Sequence, residues 1–126
     1  MRILLVDDNM LMQQVLSRVL GSMGHTVQTA ECVGDALDLA TKHMFEMLLL
    51  DMCLPDGDGA EALELLRRLP GYTGVPALAI SGYGDEHARK ARVAGFDGYF
   101  SKPVDFDKLQ AALNSFSTQR EQVIGQ

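Results

Sequence analysis

Five short segments of apolar or β-branched character recur along the chain: RILLV at 2–6, TVQTA at 26–30, EMLLL at 46–50, PALAI at 76–80 and DGYF at 97–100. Between them lie longer stretches whose apolar positions repeat with helical spacing. Short apolar runs alternating with amphipathic helices are the pattern of parallel strands in βαβ units. The five segments are therefore predicted strands, and helices are predicted at about 10–23, 33–43, 58–69, 85–94 and 105–117. In the first helix Met12, Leu16, Val19, Leu20 and Met23 form one core-facing stripe. Leu11 and Val15 fall on its flank, where they serve either as the edge of the core or as exposed contacts for a partner. Breakers stand where connections are needed: Gly21 and Gly24 after the first helix, Pro55-Asp56-Gly57 after the third strand, Pro70-Gly71 after the third helix. The expected fold is α/β, a doubly wound five-stranded parallel (βα)5 sheet with right-handed crossovers and helices on both faces.

Composition narrows the function. A chain of 126 residues is the size of one domain with a real core, and 47% hydrophobic against 22% charged residues is a globular balance. No apolar run approaches the roughly 20 residues of a membrane span. The net charge of −6, with no basic stripe, argues against direct nucleic-acid binding. Cys32 and Cys53 make neither a C-x-x-C nor a zinc spacing, so free thiols in a reducing cytoplasm are expected. Met1-Arg2 runs straight into a strand, a start that does not resemble a secretory signal. The domain is expected over 1–117, with 118–126 continuing the last helix or beginning a linker.

Open α/β sheets bind ligands beyond the carboxyl ends of their strands. Asp7 and Asp8 follow the first strand, Asp51 the third and Ser81 the fourth, and Lys102 lies just past the fifth. These residues should meet in one crevice. Carboxylates brought together raise one another's pKa unless a cation intervenes, so their convergence implies a metal. Magnesium suits an all-oxygen site beside a phosphoryl group, and there is no His/Cys set for zinc. Taken singly, such acids would cap helices or solvate loops. Lys102 precedes Pro103, and a cis bond there would turn the ammonium inward, whereas a surface lysine is the plainer alternative. Gly82 leaves room beside the Ser81 hydroxyl, a donor to a phosphoryl oxygen. Tyr99 is either core or a ring that moves when Ser81 is recruited.

VDDN, LLLDMCLPDGDG, AISGYG and GYFSKP stand in the order and spacing of a response-regulator receiver domain of two-component signalling, which the chain resembles over residues 1 to about 116. The SGYG and GFDGYFSKPVD wording is most similar to receivers attached to hybrid histidine kinases. The resemblance implies a flavodoxin-like strand order 2-1-3-4-5. It implies Asp51 as phospho-acceptor, Asp8 and Asp51 as direct Mg²⁺ ligands with the Cys53 backbone carbonyl, and Asp7 acting mainly through water. It further implies Lys102 on the phosphoryl oxygens and Ser81 with Tyr99 as a switch pair. The donor would be a histidine kinase or histidine phosphotransfer protein, and the output face would be the fourth helix, fifth strand and fifth helix. Two positions that tune phosphoryl lifetime in this family carry a thiol, Cys53, and a tyrosine, Tyr83.

Two other classes compete. A Mg²⁺-dependent phosphatase or phosphotransferase with an aspartyl nucleophile would need a second acid two residues after Asp51, where Cys53 stands. A nucleotide-binding module would need an anion-cradling loop after the first strand, where DDNM offers acids instead. Aspartyl chemistry of the receiver kind requires no histidine, and His25, His43 and His87 are expected to be solvated in loops or on helix surfaces.

Overall fold

The computed structural model describes residues 1–82 and 85–124. The main sheet consists of β1 (Arg2–Val6), β2 (Thr26–Ala30), β3 (Met47–Asp51), β6 (Ala77–Ser81) and β7 (Gly98–Ser101), all parallel, in the order β2-β1-β3-β6-β7. Between β3 and the third helix lies a two-residue hairpin, β4 (Cys53–Leu54) with β5 (Gly57–Asp58). The helices are α1 (Met10–Ser22), α2 (Val33–Lys42), α3 (Gly59–Arg67), α4 (Asp85–Ala94) and α5 (Phe106–Ile124). Counting only the five long strands, this is the expected 2-1-3-4-5 arrangement.

The period-2 alternation of strand side chains sorts the core into two layers. Leu4, Val6, Leu48, Leu50, Ala77 and Ala79 pack on the α2, α3 and α4 side, against Ala36, Ala40, Ala62, Leu63, Leu66 and Ala91. Ile3, Leu5, Met47, Leu49, Leu78 and Ile80 meet Leu16 and Leu20 of α1 and Leu109 and Leu113 of α5. Both faces of β1, β3 and β6 are covered, which is why these strands read as continuous apolar runs. The α1 stripe faces this core, although Met12, Val19 and Met23 are only half-buried.

Three strands run one residue further than their apolar runs. Asp51 still pairs with Ile80, and Ser81 with Ser101, so polar side chains are carried on the ladder itself and not on a following loop. Rigid backbone therefore presents them. Gly59 shows how tightly the neighbourhood is packed: a Cβ there would lie 2.7 Å from the Asp51 carbonyl oxygen. Gly24 follows the Met23 C-cap with φ 91°, ending α1 in the left-handed region that glycine favours.

The histidines depart from the expected solvated positions. His25 is half-buried with Nδ1 2.9 Å from the Met1 amine, and burial followed by that positive charge lowers its pKa. His43 caps α2 and packs its ring edge-on to Phe45, with centroids 6.3 Å apart. His87 is tied to the strand-end cluster described below. The His25 partner lies 24 residues away in the chain, invisible to local patterning. No helix among the described residues is long and apolar enough to cross a membrane.

Candidate functional site

Asp7, at the carboxyl edge of β1, is 1% exposed; Asp51 is buried at the end of β3, and Asp8 projects into solvent. One carboxylate oxygen from each lies within 4.8 Å of the others. Lys102 reaches in from beyond β7, across a cis Lys102–Pro103 bond, with its backbone N–H donating to the Ser81 carbonyl at 2.8 Å. Its Nζ lies 3.1 Å from Asp51 Oδ2 and 3.2 Å from Asp7 Oδ2. The structure thus brings Asp7, Asp8, Asp51 and Lys102 into one crevice.

Backbone donors fix the remaining oxygens. Asp51 Oδ1 accepts the Cys53 N–H at 3.0 Å, and Asp7 Oδ1 accepts the Asn9 N–H at 2.9 Å. Asn9 in turn caps α1 by accepting the Met12 N–H, so the Asp7-Asp8-Asn9 turn is held from both ends. Gln13, buried in α1, donates to the Asp7 and Ala30 carbonyls. It was not anticipated from the sequence, because its place on the helix face gives no sign of a partner two strands away. The hairpin is anchored too: Asp58 caps α3 through the Glu61 N–H and is paired with Lys90 of α4, and Asp56 accepts the N–H groups of Val33 and Gly34 at the start of α2.

Burial pushes the Asp7 carboxyl above the usual carboxylate range; the Asn9 hydrogen bond opposes this, the Asp51 charge adds to it, and Lys102 offsets part. For Lys102 burial disfavours the ammonium, but the Asp51 hydrogen bond and the charges of Asp51 and Asp7 outweigh it and raise the pKa. Lys102 is therefore cationic at neutral pH. Asp7 Oδ2 is at ion-pair distance from Lys102 yet receives no well-aligned hydrogen bond, leaving a buried acceptor unsatisfied. A buried carboxylate oxygen with unused lone pairs, facing two further carboxylates, fits an oxygen-ligated divalent cation such as Mg²⁺. Cys53 is exposed beside them; burial and then the Asp51 charge raise its pKa, which keeps it a thiol.

The other sequence-predicted residues are more dispersed. Ser81 is fully buried at the end of β6, its Oγ 2.8 Å from His87 Nδ1. Tyr99 sits two residues earlier along the neighbouring strand, pairing with Ala79, half-buried against the α2–α4 core layer and lining a cavity of about 220 Å³ with Ala88, Ala91 and Phe96. Leu11 is 69% exposed and Val15 38% exposed on α1, with Met10 beside them at 55%. Tyr83 lies outside the described residues.

Residues 3–114 match the family model for the response regulator receiver domain. The chain is 35% identical over 106 residues to an uncharacterized 14.6 kDa protein from the sodA1 3′ region of Leptolyngbya boryana, covering 83% of this chain and 81% of that one. It is 34% identical over 117 residues to the sensor histidine kinase RcsC of Salmonella typhi, covering 90% of this chain but only 12% of the kinase. Among solved structures, the CheY-like receiver domain protein from Methanospirillum hungatei superposes with a TM-score of 0.84 at 30% identity, covering 96% of this chain and 97% of that one.

Proposed function

The chain belongs to the response regulator receiver domain family of two-component signalling, and we propose that it is a phosphorylation-dependent switch whose phospho-acceptor is Asp51. The observation that carries this reading is the position of Lys102, one ammonium within 3.2 Å of the carboxylates of both Asp51 and Asp7. A lone structural ion pair would need one acid; one ammonium shared by clustered carboxylates leaves the site short of positive charge, room for a divalent cation beside the nucleophile.

The donor is a phosphohistidine on a histidine kinase or histidine phosphotransfer protein. An Asp51 carboxylate oxygen bonds to phosphorus while the P–N bond to the donor imidazole breaks, the electron pair leaving on nitrogen, which then takes up a proton. The product is an acyl phosphate. The Cys53 N–H orients the Asp51 carboxylate on one oxygen, and Lys102 follows the negative charge from that carboxylate onto the phosphoryl oxygens. Asp8, Asp51 and the Cys53 backbone carbonyl would hold Mg²⁺, with Asp7 acting through water. Bound there, the ion supplies positive charge to the phosphoryl oxygens.

Ser81 then donates to the phosphoryl group and Tyr99 changes position with it, altering the α4–β7–α5 face where an output protein binds. The donor protein docks on the exposed Leu11 and Val15 of α1. We place the switch domain at residues 1–117, with 118–126 as a C-terminal helix extension or the start of a linker, acting in the cytoplasm and without direct nucleic-acid contact. A phosphatase reading is disfavoured because the position two residues after Asp51 holds a thiol, kept protonated, where that chemistry needs a carboxyl group. Labelling by a phosphoramidate donor with Mg²⁺ tests the proposal: Asp51→Asn should take up no acid- or base-labile phosphate, and undiminished uptake would refute the assignment.

A further inference from the structure

The Ser81 hydroxyl has one hydrogen to give, and a partner already stands beside it. His87, half-buried in the first turn of α4, places Nδ1 2.8 Å from Ser81 Oγ. When a neutral imidazole accepts at Nδ1, its own proton is on Nε2 and the serine hydrogen is committed to the ring. A phosphoryl group on Asp51 would need that same hydrogen. Resting on the reading of Asp51 and Ser81 given above, we propose that His87 is a positioning residue that holds the Ser81 hydroxyl in the unphosphorylated protein, so that phosphorylation must take Ser81 from it and thereby unfastens the first turn of α4.

The construction of α4 makes this release consequential. Among its residues only Ala91 is a fully buried apolar side chain, while Val93 is 84% exposed. A helix resting on so little apolar surface gains little from burial. Polar links across elements then carry much of its placement, and among the described residues two stand out: His87 to Ser81, and Lys90 to Asp58. Ser81 is rigidly held by its strand, pairing with Ser101 and accepting the Lys102 N–H, so when the hydroxyl turns it is the helix that has lost a tether. Tyr99, on β7, lines the cavity of about 220 Å³ with Ala88 and Ala91 of the same helix.

Beryllofluoride with Mg²⁺, a mimic of the phosphoryl group on aspartate, provides the test. His87→Ala takes away this competing acceptor, so it should bind beryllofluoride roughly two- to tenfold more tightly than the native protein, the range expected for loss of one competing neutral hydrogen bond. In a Ser81→Ala background the same substitution should change nothing. Unchanged or weaker binding in His87→Ala, or an equal gain without Ser81, overturns the proposal. Histidine-ring ¹⁵N spectra of the native chain at about pH 8, above the ordinary imidazole range, give an answer that does not depend on any variant folding. They should show His87 as the Nε2–H tautomer and its signals should move on adding beryllofluoride, whereas an Nδ1–H tautomer or unmoved signals would refute it. If native protein binds no beryllofluoride at all, the acceptor reading of Asp51 fails along with this one; binding without coupling to His87 defeats only the role given to His87.

Discussion

Lys102→Met removes the ammonium while keeping most of the aliphatic stem, and leaves two carboxylates with side chains 1% and 6% exposed facing each other without a counter-charge. Breaking a buried ion pair by deleting one partner costs about 3–5 kcal/mol, and a charge-assisted hydrogen bond about 1.5–3. Because the Lys102 side chain is itself 23% exposed, solvent screens part of the interaction. The expected loss is therefore about 2–4 kcal/mol at neutral pH without metal. With an unfolding entropy of about 2.1 cal/mol/K per residue, that lowers Tm by roughly 8–15 °C for a chain of this length. The pH dependence identifies the cause. Since the folded-state pKa of Lys102 is raised, its contribution is fully present below the ordinary lysine pKa and fades only as pH rises through the higher folded value. On the acid side the part that comes from Asp7, whose pKa is raised, is lost as that carboxyl protonates. Calorimetric melts of both proteins near pH 7 and pH 4, with and without Mg²⁺, should show a gap that narrows in acid and that Mg²⁺ partly closes. Equal losses at both pH values would mean lost packing, and a Tm unchanged at pH 7 would refute the electrostatic account altogether.

Asp8→Ala should weaken Mg²⁺ binding strongly and Asp7→Ala less so, because a direct ligand contributes more than one acting through water; tyrosine fluorescence titration reports it, since the chain has three tyrosines and no tryptophan. Leu11→Ser should slow phosphotransfer from a histidine donor and leave small-molecule phosphorylation intact, equal slowing of both being the mark of destabilisation instead. Gly59→Ala forces a Cβ to within 2.7 Å of the Asp51 carbonyl and should cost about 1–3 kcal/mol in denaturant unfolding while impairing labelling of Asp51. Ser81→Ala should still accept phosphate yet show much smaller beryllofluoride-induced amide shifts over residues 85–113 than the native chain.

The fold was readable because burial on both faces turns β1, β3 and β6 into uninterrupted apolar runs, and the polar residue ending each run marks the edge where ligands bind. Asp7 and Asp8, Asp51 and Lys102 could be gathered from three places in the chain by topology alone. Boundaries were less legible: Asp51 and Ser81 look like strand terminators, but their ladder pairs depend on neighbouring strands and not on their own side chains. The two-residue hairpin of β4 and β5 is too short to show any period. Gln13 and His87 were missed for a related reason. Each lies on a helix as an ordinary polar residue, and only the approach of β1 and β2 in one case, and of β6 in the other, gives it a partner.

The central claim concerns where a phosphoryl group is held, and borohydride reduction reads that position directly, because it converts an aspartyl phosphate to homoserine. After phosphorylation with Mg²⁺, reduction and peptide mass analysis, homoserine is predicted at position 51 and should be lost when Mg²⁺ is withheld. Homoserine at Asp7 or Asp8, or phosphate retained on His87 with Asp51 unreacted, would contradict the account.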